Sequence, residues 1–267
     1  MTMVKRHELT TRGLGAEPGI PDVKVLADWI AEHRGRSADI TTYRCDQSLA
    51  PQIENGIGLA CAGGKFTAAH VLESISGIED CRATGEFHVQ AGPLREDAAG
   101  TYLRKKGSWF ALPAPHVLGI TDLYYHDDEE WADALTGTYR SIMREMRDVG
   151  ITGHVLLCER TDPVEIAALA QHQRCFFFIP DPCRTDLERM LDRQSQVAVG
   201  RSGLGTLINC MDEYDVSRII LVDPDDAAVR LALSHFDPDQ VTIGGYCTAE
   251  DAGAYWKNLV EGAGYWK

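Results

Sequence analysis

The residues best suited to chemistry form a glycine turn with one arginine and two hydroxyls, placed between an apolar run and a helical segment. The turn reads Gly200-Arg201-Ser202-Gly203-Leu204-Gly205-Thr206 and follows the apolar run 196–199. Glycines let the backbone approach a ligand closely, and the free amides at the start of a helix attract an anion. We therefore predict an anion-binding site in which Arg201 contacts phosphate or carboxylate and the hydroxyls of Ser202 and Thr206 donate. A turn whose glycines serve packing alone is the alternative.

Three cysteines occupy equivalent positions along the chain. Cys158, Cys183 and Cys247 each fall at or just beyond the carboxyl end of a predicted strand. Because those ends share one edge of a parallel sheet, the three thiols are expected to converge. Thiolates are suitable ligands for zinc or an iron–sulfur cluster, so these cysteines are the candidate metal ligands. Against this hypothesis, the chain has no CxxC pair, and cysteine is often buried for packing alone.

The candidates for proton transfer are one histidine and two carboxylates at predicted strand ends. His126 and Asp127 follow the apolar run 117–125, and Glu159 follows the run 154–158. A histidine beside carboxylates supplies an acid–base pair. The alternative for Asp127 is structural, because acidic residues stabilise the first turn of a helix and one is predicted from residue 129. The sequence contains neither HExxH nor GxSxG.

A second glycine stretch, residues 58–67, does not have the register of a P-loop. Gly64 occupies the position of the required lysine, and Phe66 separates Lys65 from Thr67. Without that register a loop does not both reach the terminal phosphates and ligate magnesium. The stretch is predicted to be a loop before a helix.

The elements that position these residues recur from residue 150 onward. Apolar runs without alternation are separated by amphipathic segments, which indicates a parallel sheet covered on both faces. The predicted strands are 154–158, 175–179, 196–199, 218–222 and 240–243, and the predicted helices are 164–172, 186–193, 204–213, 227–235 and 249–260. An additional strand at 117–125 and a long helix at 129–148 begin the same series.

Cap chemistry supports the helices. Asp162, followed by Pro163 and Glu165, fits an N-cap, a first-turn proline and a capping-box partner. Similar groups occur at Thr185, Thr248 and Asp223. Alternation of strands with capped helices is therefore the firmest inference from the sequence.

The first half of the chain is less regular. It is predicted to hold helices at 23–33 and 66–76 and strands at 39–44 and 81–90. Glycines and prolines are frequent at 91–115. We therefore predict an α+β region at residues 1–115 and a βα-repeat domain at residues 116–267.

The sequence is compatible with two arrangements of the parallel sheet. A (β/α)8-like barrel needs eight strands, and the first half supplies its share only if 57–61, 87–90 and 109–112 are all counted. An open doubly wound α/β sheet is the simpler expectation, and the barrel is the alternative. In both, ligands bind at the carboxyl edge.

Composition restricts the partners. With a net charge of -14 among 267 residues and scattered basic side chains, nucleic acid is not an expected partner. No apolar run is long enough to span a bilayer, so no membrane association is expected. The eight cysteines are interpreted as free thiols of a cytoplasmic protein.

These observations predict an enzyme that binds a phosphorylated or carboxylated metabolite at the carboxyl edge of its sheet. The reaction type is left open. A cysteine-ligated zinc or iron–sulfur protein is one alternative, and a noncatalytic interaction module is the other.

Overall fold

The computed structural model of the protein describes residues 6–33, 38–170 and 174–266. Its strands are β1 (Arg6–Glu8), β2 (Thr10–Ala16), β3 (Cys61–Gly63), β4 (Ile75–Glu79), β5 (Arg82–Val89), β6 (Trp109–Pro113), β7 (Thr121–Asp122), β8 (His154–Leu157), β9 (Cys175–Phe178), β10 (Gln196–Gly200), β11 (Arg218–Val222), β12 (Val241–Cys247) and β13 (Gly264–Trp266). Its α-helices are α1 (Val23–Glu32), α2 (Ile40–Glu54), α3 (Ala68–Glu73), α4 (Gly92–Arg104), α5 (Asp128–Asp148), α6 (Pro163–Leu169), α7 (Arg184–Leu191), α8 (Arg201–Cys210), α9 (Asp226–Leu233) and α10 (Ala252–Gly262).

Eight of these strands are parallel and lie in two sheets. One has the order β10-β11-β12-β2, and the other has the order β3-β6-β8-β9. The first seam between them joins β2 to the residues before β3, where Gly13 N donates to Leu59 O (2.8 Å) and Leu59 N donates to Thr11 O (3.0 Å).

The second seam, between β9 and β10, is closed by a side chain. Phe177 N donates to Gln194 Oε1 (3.1 Å), and Gln194 Nε2 donates to Phe177 O (3.3 Å). A glutamine amide offers the same donor and acceptor as a peptide group, so Gln194 substitutes for the missing strand partner. The eight strands therefore form a (β/α)8 barrel, and the parallel α/β prediction is confirmed. The sequence is compatible with a closed barrel and with an open doubly wound sheet, and the strands form the barrel.

The barrel has an apolar interior distinct from the layer between strands and helices. Because strand side chains alternate between faces, every second residue points inward. The interior cluster consists of Leu14, Cys61, Trp109, Ala111, Val155, Leu157, Phe176, Phe178, Ala198, Ile220 and Val222. Strands β6, β8, β9 and β11 each contribute two residues to this cluster, spaced two positions apart.

Smaller sheets extend the barrel. β1 pairs antiparallel with β13 just before the barrel begins at β2. β4 and β5 form a hairpin after β3, and β7 pairs parallel with β5. In the described part of the chain, no helix is long and apolar enough to cross a membrane.

The strands and helices predicted after residue 150 are confirmed, with ends that differ by a few residues. The helix predicted at 164–172 ends at residues 171 and 172, which lie outside the described residues. Asp162 caps α6 as predicted, accepting from Val164 N and Glu165 N. The caps of α7, α9 and α10 are instead Cys183, Asp225 and Asp251, so these helices start at shifted positions.

The first half contains the differences. The strand predicted at 39–44 is wrong, since these residues start α2, where Asp39 accepts from Thr42 N and the buried face outweighs the strand propensity of Ile40 and two threonines. Only β7 falls within the strand predicted at 117–125, and a 3₁₀ helix occupies Pro115–Leu118. The glycine-rich strand β2 was not predicted at all.

The predicted boundary near residue 115 falls inside the barrel. Strands β2, β3 and β6 come from residues 1–115, yet β2 pairs with β12 and β6 pairs with β8. Both segments therefore contribute strands to a single closed sheet.

Candidate functional site

Several ionisable side chains follow the carboxyl ends of the barrel strands. We call this region the mouth, and define it by the residues that follow or end each strand. It includes Glu17, Lys65, His116, Glu159, Asp181, Arg201, Asp223 and Tyr246. In (β/α)8 barrels this end carries the active site, whereas the opposite end contributes stability.

Glu17 joins three parts of the mouth. Its Oε1 accepts hydrogen bonds from Lys65 N (2.5 Å) and from the Tyr246 hydroxyl (2.5 Å). Its Oε2 lies 3.8 Å from Nη2 of Arg44 in α2. Burial, together with the hydrogen bond and charge of Glu17, raises the pKa of Tyr246. Tyr246 therefore remains a hydrogen-bond donor, and its ring contacts Phe178 in the barrel interior at 5.7 Å between centroids.

Lys65 brings a cation to the mouth. Its Nζ lies 3.0 Å from Oε1 of Glu159, which follows β8. The hydrogen bond and charge of Lys65 lower the pKa of Glu159. The Glu159 side chain is 70% exposed, so water or a ligand can compete for this ion pair.

His116 and Glu165 form a clamped pair beyond β6. His116 N donates to Glu165 Oε1 (2.7 Å), and His116 Nδ1 lies 2.8 Å from Oε2 of the same carboxylate. Because a carboxylate oxygen accepts this hydrogen bond, Nδ1 is its donor. Nε2 is buried without a hydrogen-bond partner among the described residues. This arrangement fixes the ring and its tautomer, as in an acid–base dyad.

The predicted glycine turn forms the end of β10 and the first turns of α8, because α8 starts at Arg201 rather than at the predicted residue 204. Gly200 is the N-cap of α8, and the turn reaches the mouth. Its polar side chains already have carboxylate partners: Arg201 Nη1 lies 2.6 Å from Asp225 Oδ2, and Ser202 Oγ donates to Asp181 Oδ1 (2.9 Å). An anion bound here must take these donors from the carboxylates. Gly203 is buried, whereas Gly205 and Thr206 lie further along the helix.

The predicted pair His126 and Asp127 lies beyond β7, which is not a barrel strand. Asp127 caps α5 by accepting from the amides of Glu129 (3.0 Å) and Glu130 (2.9 Å). His126 has a φ of 57° in a turn whose amides donate to Asp122. The structure thus gives Asp127 a structural role, and their part in proton transfer stays a prediction.

The predicted convergence of three cysteines is not found. Cys158 and Cys247 are buried in the layer outside the barrel, because their neighbours Leu157 and Tyr246 take the inward positions. Cys183 is exposed and its Sγ contacts Asp186 Oδ2 at 3.0 Å. Within residues 6–33, 38–170 and 174–266, no three His, Cys, Asp or Glu side chains are grouped to hold a metal. The described residues thus do not bring the three cysteines together, and a zinc or iron–sulfur role for them stays a prediction.

Sequence reasoning missed Glu17, Lys65, His116, Glu165 and Tyr246. Each lies at the mouth or packs against a residue that does. The available signal was position: His116 follows the fully buried strand β6 by three residues, and Lys65 follows β3 by two.

No protein-family model matches the sequence, and no curated protein matches it. Solved structures do. A B12-independent methionine synthase from Shewanella sp. W3-18-1, in complex with selenomethionine, superposes with a TM-score of 0.66 at 14% identity, covering 96% of this chain and 97% of that chain. A putative vitamin-B12 independent methionine synthase from Listeria monocytogenes gives 0.63 at 16% identity, covering 96% of both chains. At these identities the likeness concerns the fold, so the chain shares its (β/α)8 architecture with these proteins over nearly its whole length.

Proposed function

We propose that the protein is an enzyme that binds a small carboxylated or phosphorylated molecule at the mouth of its barrel. The observation that carries this proposal is the Lys65–Glu159 ion pair, whose cation and anion come from different strand ends. An anionic ligand can replace Glu159 on Lys65 without leaving a buried charge unpaired, because both groups are partly exposed. Arg201, paired with Asp225, is the second cation available to such a ligand.

The likeness to the Shewanella protein supports a ligand of this kind. That protein was solved with selenomethionine, an amino acid with one carboxylate and one ammonium group. A zwitterion requires a cation and an anion close together, and the mouth offers Lys65 beside Glu17 and Glu159. The glycine turn with Arg201 remains the second proposed position for a carboxylate or phosphate.

For proton transfer, His116 is the leading candidate at the mouth. Glu165 accepts from Nδ1, so Nε2, which is buried without a partner among the described residues, is the ring nitrogen that would exchange a proton with a group placed against it. Glu159 is the other group that can exchange a proton there.

Calorimetric titration tests the proposal. The wild-type protein is titrated with amino acids, dicarboxylates and phosphorylated sugars, and at least one class is expected to bind. Lys65→Ala or Arg201→Ala then identifies the cation that holds the anion, with affinity expected to fall about tenfold or more for a charge-assisted contact. Lys257→Ala is the matched control, because Lys257 pairs with Glu261 on α10.

The two variants distinguish the proposed positions. Loss of binding in Lys65→Ala alone places the anion beside β3, and loss in Arg201→Ala alone places it at the glycine turn. Absence of binding across the whole panel, or equal affinity in both variants and the control, contradicts the proposal.

A further inference from the structure

A second charged site lies inside the barrel, away from the mouth. Arg12 is the third residue of β2 and is only 3% exposed. Its guanidinium carbon lies 4.0 Å from the centroid of the Trp109 ring and 4.7 Å from that of Phe176. Trp109 is the first residue of β6 and Phe176 the second of β9, so this cluster lies where the strands begin. We call this end of the barrel the amino end.

The charge of Arg12 is not balanced by the surrounding residues. Burial lowers the pKa of Arg12 to about 10, so the guanidinium is still protonated at neutral pH. The titratable group that acts on it within the described part of the chain is the Cys61 thiol, whose pKa burial raises to about 12. A neutral thiol is no counter-ion, and an isolated charge in an apolar interior is strongly unfavourable.

The aromatic rings leave the donors of Arg12 unused. A ring stabilises a cation through its face, whereas the guanidinium N–H groups point outward in their own plane. Nε and Nη2 of Arg12 are buried and have no hydrogen-bond partner among the described residues. These two nitrogens form one edge of the guanidinium, and their N–H groups are parallel. This edge is the fork that binds two oxygens of a planar anion at once.

We infer that the amino end of the barrel binds a small monovalent oxyanion on the Nε–Nη2 edge of Arg12. The fitting class is planar and compact: bicarbonate, formate or nitrate. Such an anion supplies both missing acceptors and the missing negative charge. Arg12 is buried, so water competes little for this contact, which strengthens the interaction. The site uses none of the groups proposed to bind ligand at the mouth, so it stands or falls independently of the proposed function.

Stability against anion concentration tests the inference. Wild-type protein is unfolded by heat in sodium gluconate, whose bulky anion serves as the reference, while formate or nitrate replaces gluconate at constant ionic strength. A ligand that binds only the folded state raises its stability in a saturable way. Chloride forms a third arm, because a spherical anion lacks the two oxygens that the fork requires.

Two variants give the site its control. Arg12→Met keeps the approximate length and apolar contacts of the side chain but removes the fork, and its melting temperature is expected to be unaffected by formate. Arg184→Met removes an exposed arginine that pairs with Glu188, and it should respond as the wild type does. An equal or linear response in all three proteins overturns the inference.

Fluorescence provides a readout that does not depend on Arg12→Met folding. Nitrate bound on Arg12 lies beside Trp109 and is expected to quench it with a saturable component. That component should be missing in Trp109→Phe and at least tenfold weaker in Arg12→Lys, which keeps the charge without the planar fork. Quenching that is purely collisional in the wild type contradicts the site.

Discussion

The two ends of the barrel differ in whether their charged side chains are exposed and paired or buried and without a partner. At the mouth, Lys65 pairs with Glu159 and Arg201 with Asp225, and all four side chains are at least partly exposed. At the amino end, Arg12 is buried and its Nε and Nη2 have no partner among the described residues. His154, the first residue of β8, is also fully buried, with neither ring nitrogen hydrogen-bonded within the described chain.

This difference separates charged groups that have a protein partner from buried groups that have none among the described residues. Exposed ion pairs contribute little to folding, so a ligand can replace one partner at small free-energy cost. A buried group without a partner instead reduces stability by its lost hydration. The mouth is therefore suited to reversible binding, and the amino end is where substitutions should change stability most.

The largest expected effect is the gap between two substitutions at Arg12. In gluconate, Arg12→Met should be as stable as the wild type or more stable by up to about 4 kcal/mol, because a buried charge is replaced by an apolar side chain. Arg12→Ala should be less stable than Arg12→Met by about 2–5 kcal/mol, since it leaves a cavity between Trp109 and Phe176. Urea unfolding measures both.

Similar stabilities of the two variants would mean that the side chain is not packed between the rings. A strong loss in Arg12→Met, in contrast, would mean that the guanidinium has acceptors in the interior even without an added oxyanion.

The next effect tests the clamped pair at the mouth. Glu165→Gln keeps the shape of the side chain but places an amide nitrogen against an N–H donor of His116. Loss of one buried, charge-assisted hydrogen bond should reduce the free energy of unfolding by about 1–3 kcal/mol. Glu145→Gln, in an exposed pair with Arg95, is the control and should change it little. Equal stability of the two variants would contradict the buried clamp.

Much of this architecture was predictable because the later strands have simple patterns. Runs such as Cys175–Phe178 are buried on both faces, and Asp162 caps the helix that its sequence context indicates. Strand β2 was missed because two of its seven residues are glycines, and Gly13 has no room for a side chain against Gln52. The requirement for glycine is tertiary, so no local pattern shows it.

The site was less predictable because a position at a strand end does not specify whether the side chain points into the barrel or towards the helices. Cys158 and Cys247 were correctly placed at carboxyl ends, but one residue of alternation turns them to the outer layer. The inward residue at the end of β12 is Tyr246, which meets Glu17 from the opposite end of the sequence. The contact between Tyr246 and Glu17 forms because β12 pairs with β2 in the closed barrel. Without β2, the sequence does not indicate that the sheet closes.

A pH-dependent effect distinguishes the paired and unpaired histidines. His70 in α3 lies between Asp97 (2.6 Å) and Asp39 (2.8 Å); burial opposes its charge, but these carboxylates raise its pKa to about 9. Its stabilisation is therefore present below the unfolded pKa of about 6.5 and is lost as pH rises through about 9. Burial, and then the charge of Arg147, lowers the pKa of His154 to about 3. His154 therefore stays neutral in the folded protein, and the free energy of unfolding decreases as pH falls from 6.5 towards 3.

Urea unfolding from pH 4 to pH 10 measures both limbs. When the free energy of unfolding of His70→Gln is subtracted from that of the wild type, the difference should decline between pH 6.5 and 9. When that of His154→Phe is subtracted, the difference should change with pH only below pH 6.5. If a variant and the wild type show the same pH dependence in one of these ranges, the histidine assigned to that range does not cause it.

The smallest expected effect on stability concerns Lys65, and it is the sharpest test of the contrast between the two ends. Lys65→Ala breaks only a partly exposed ion pair, and Glu159 is then hydrated, so the urea midpoint should stay close to that of the wild type. If the mouth binds an anion through Lys65, the same variant loses affinity while remaining fully folded. A clear loss of stability would instead mean that Lys65 supports the barrel through Glu159, and the mouth would then depend on this ion pair for folding rather than leave it available to a ligand.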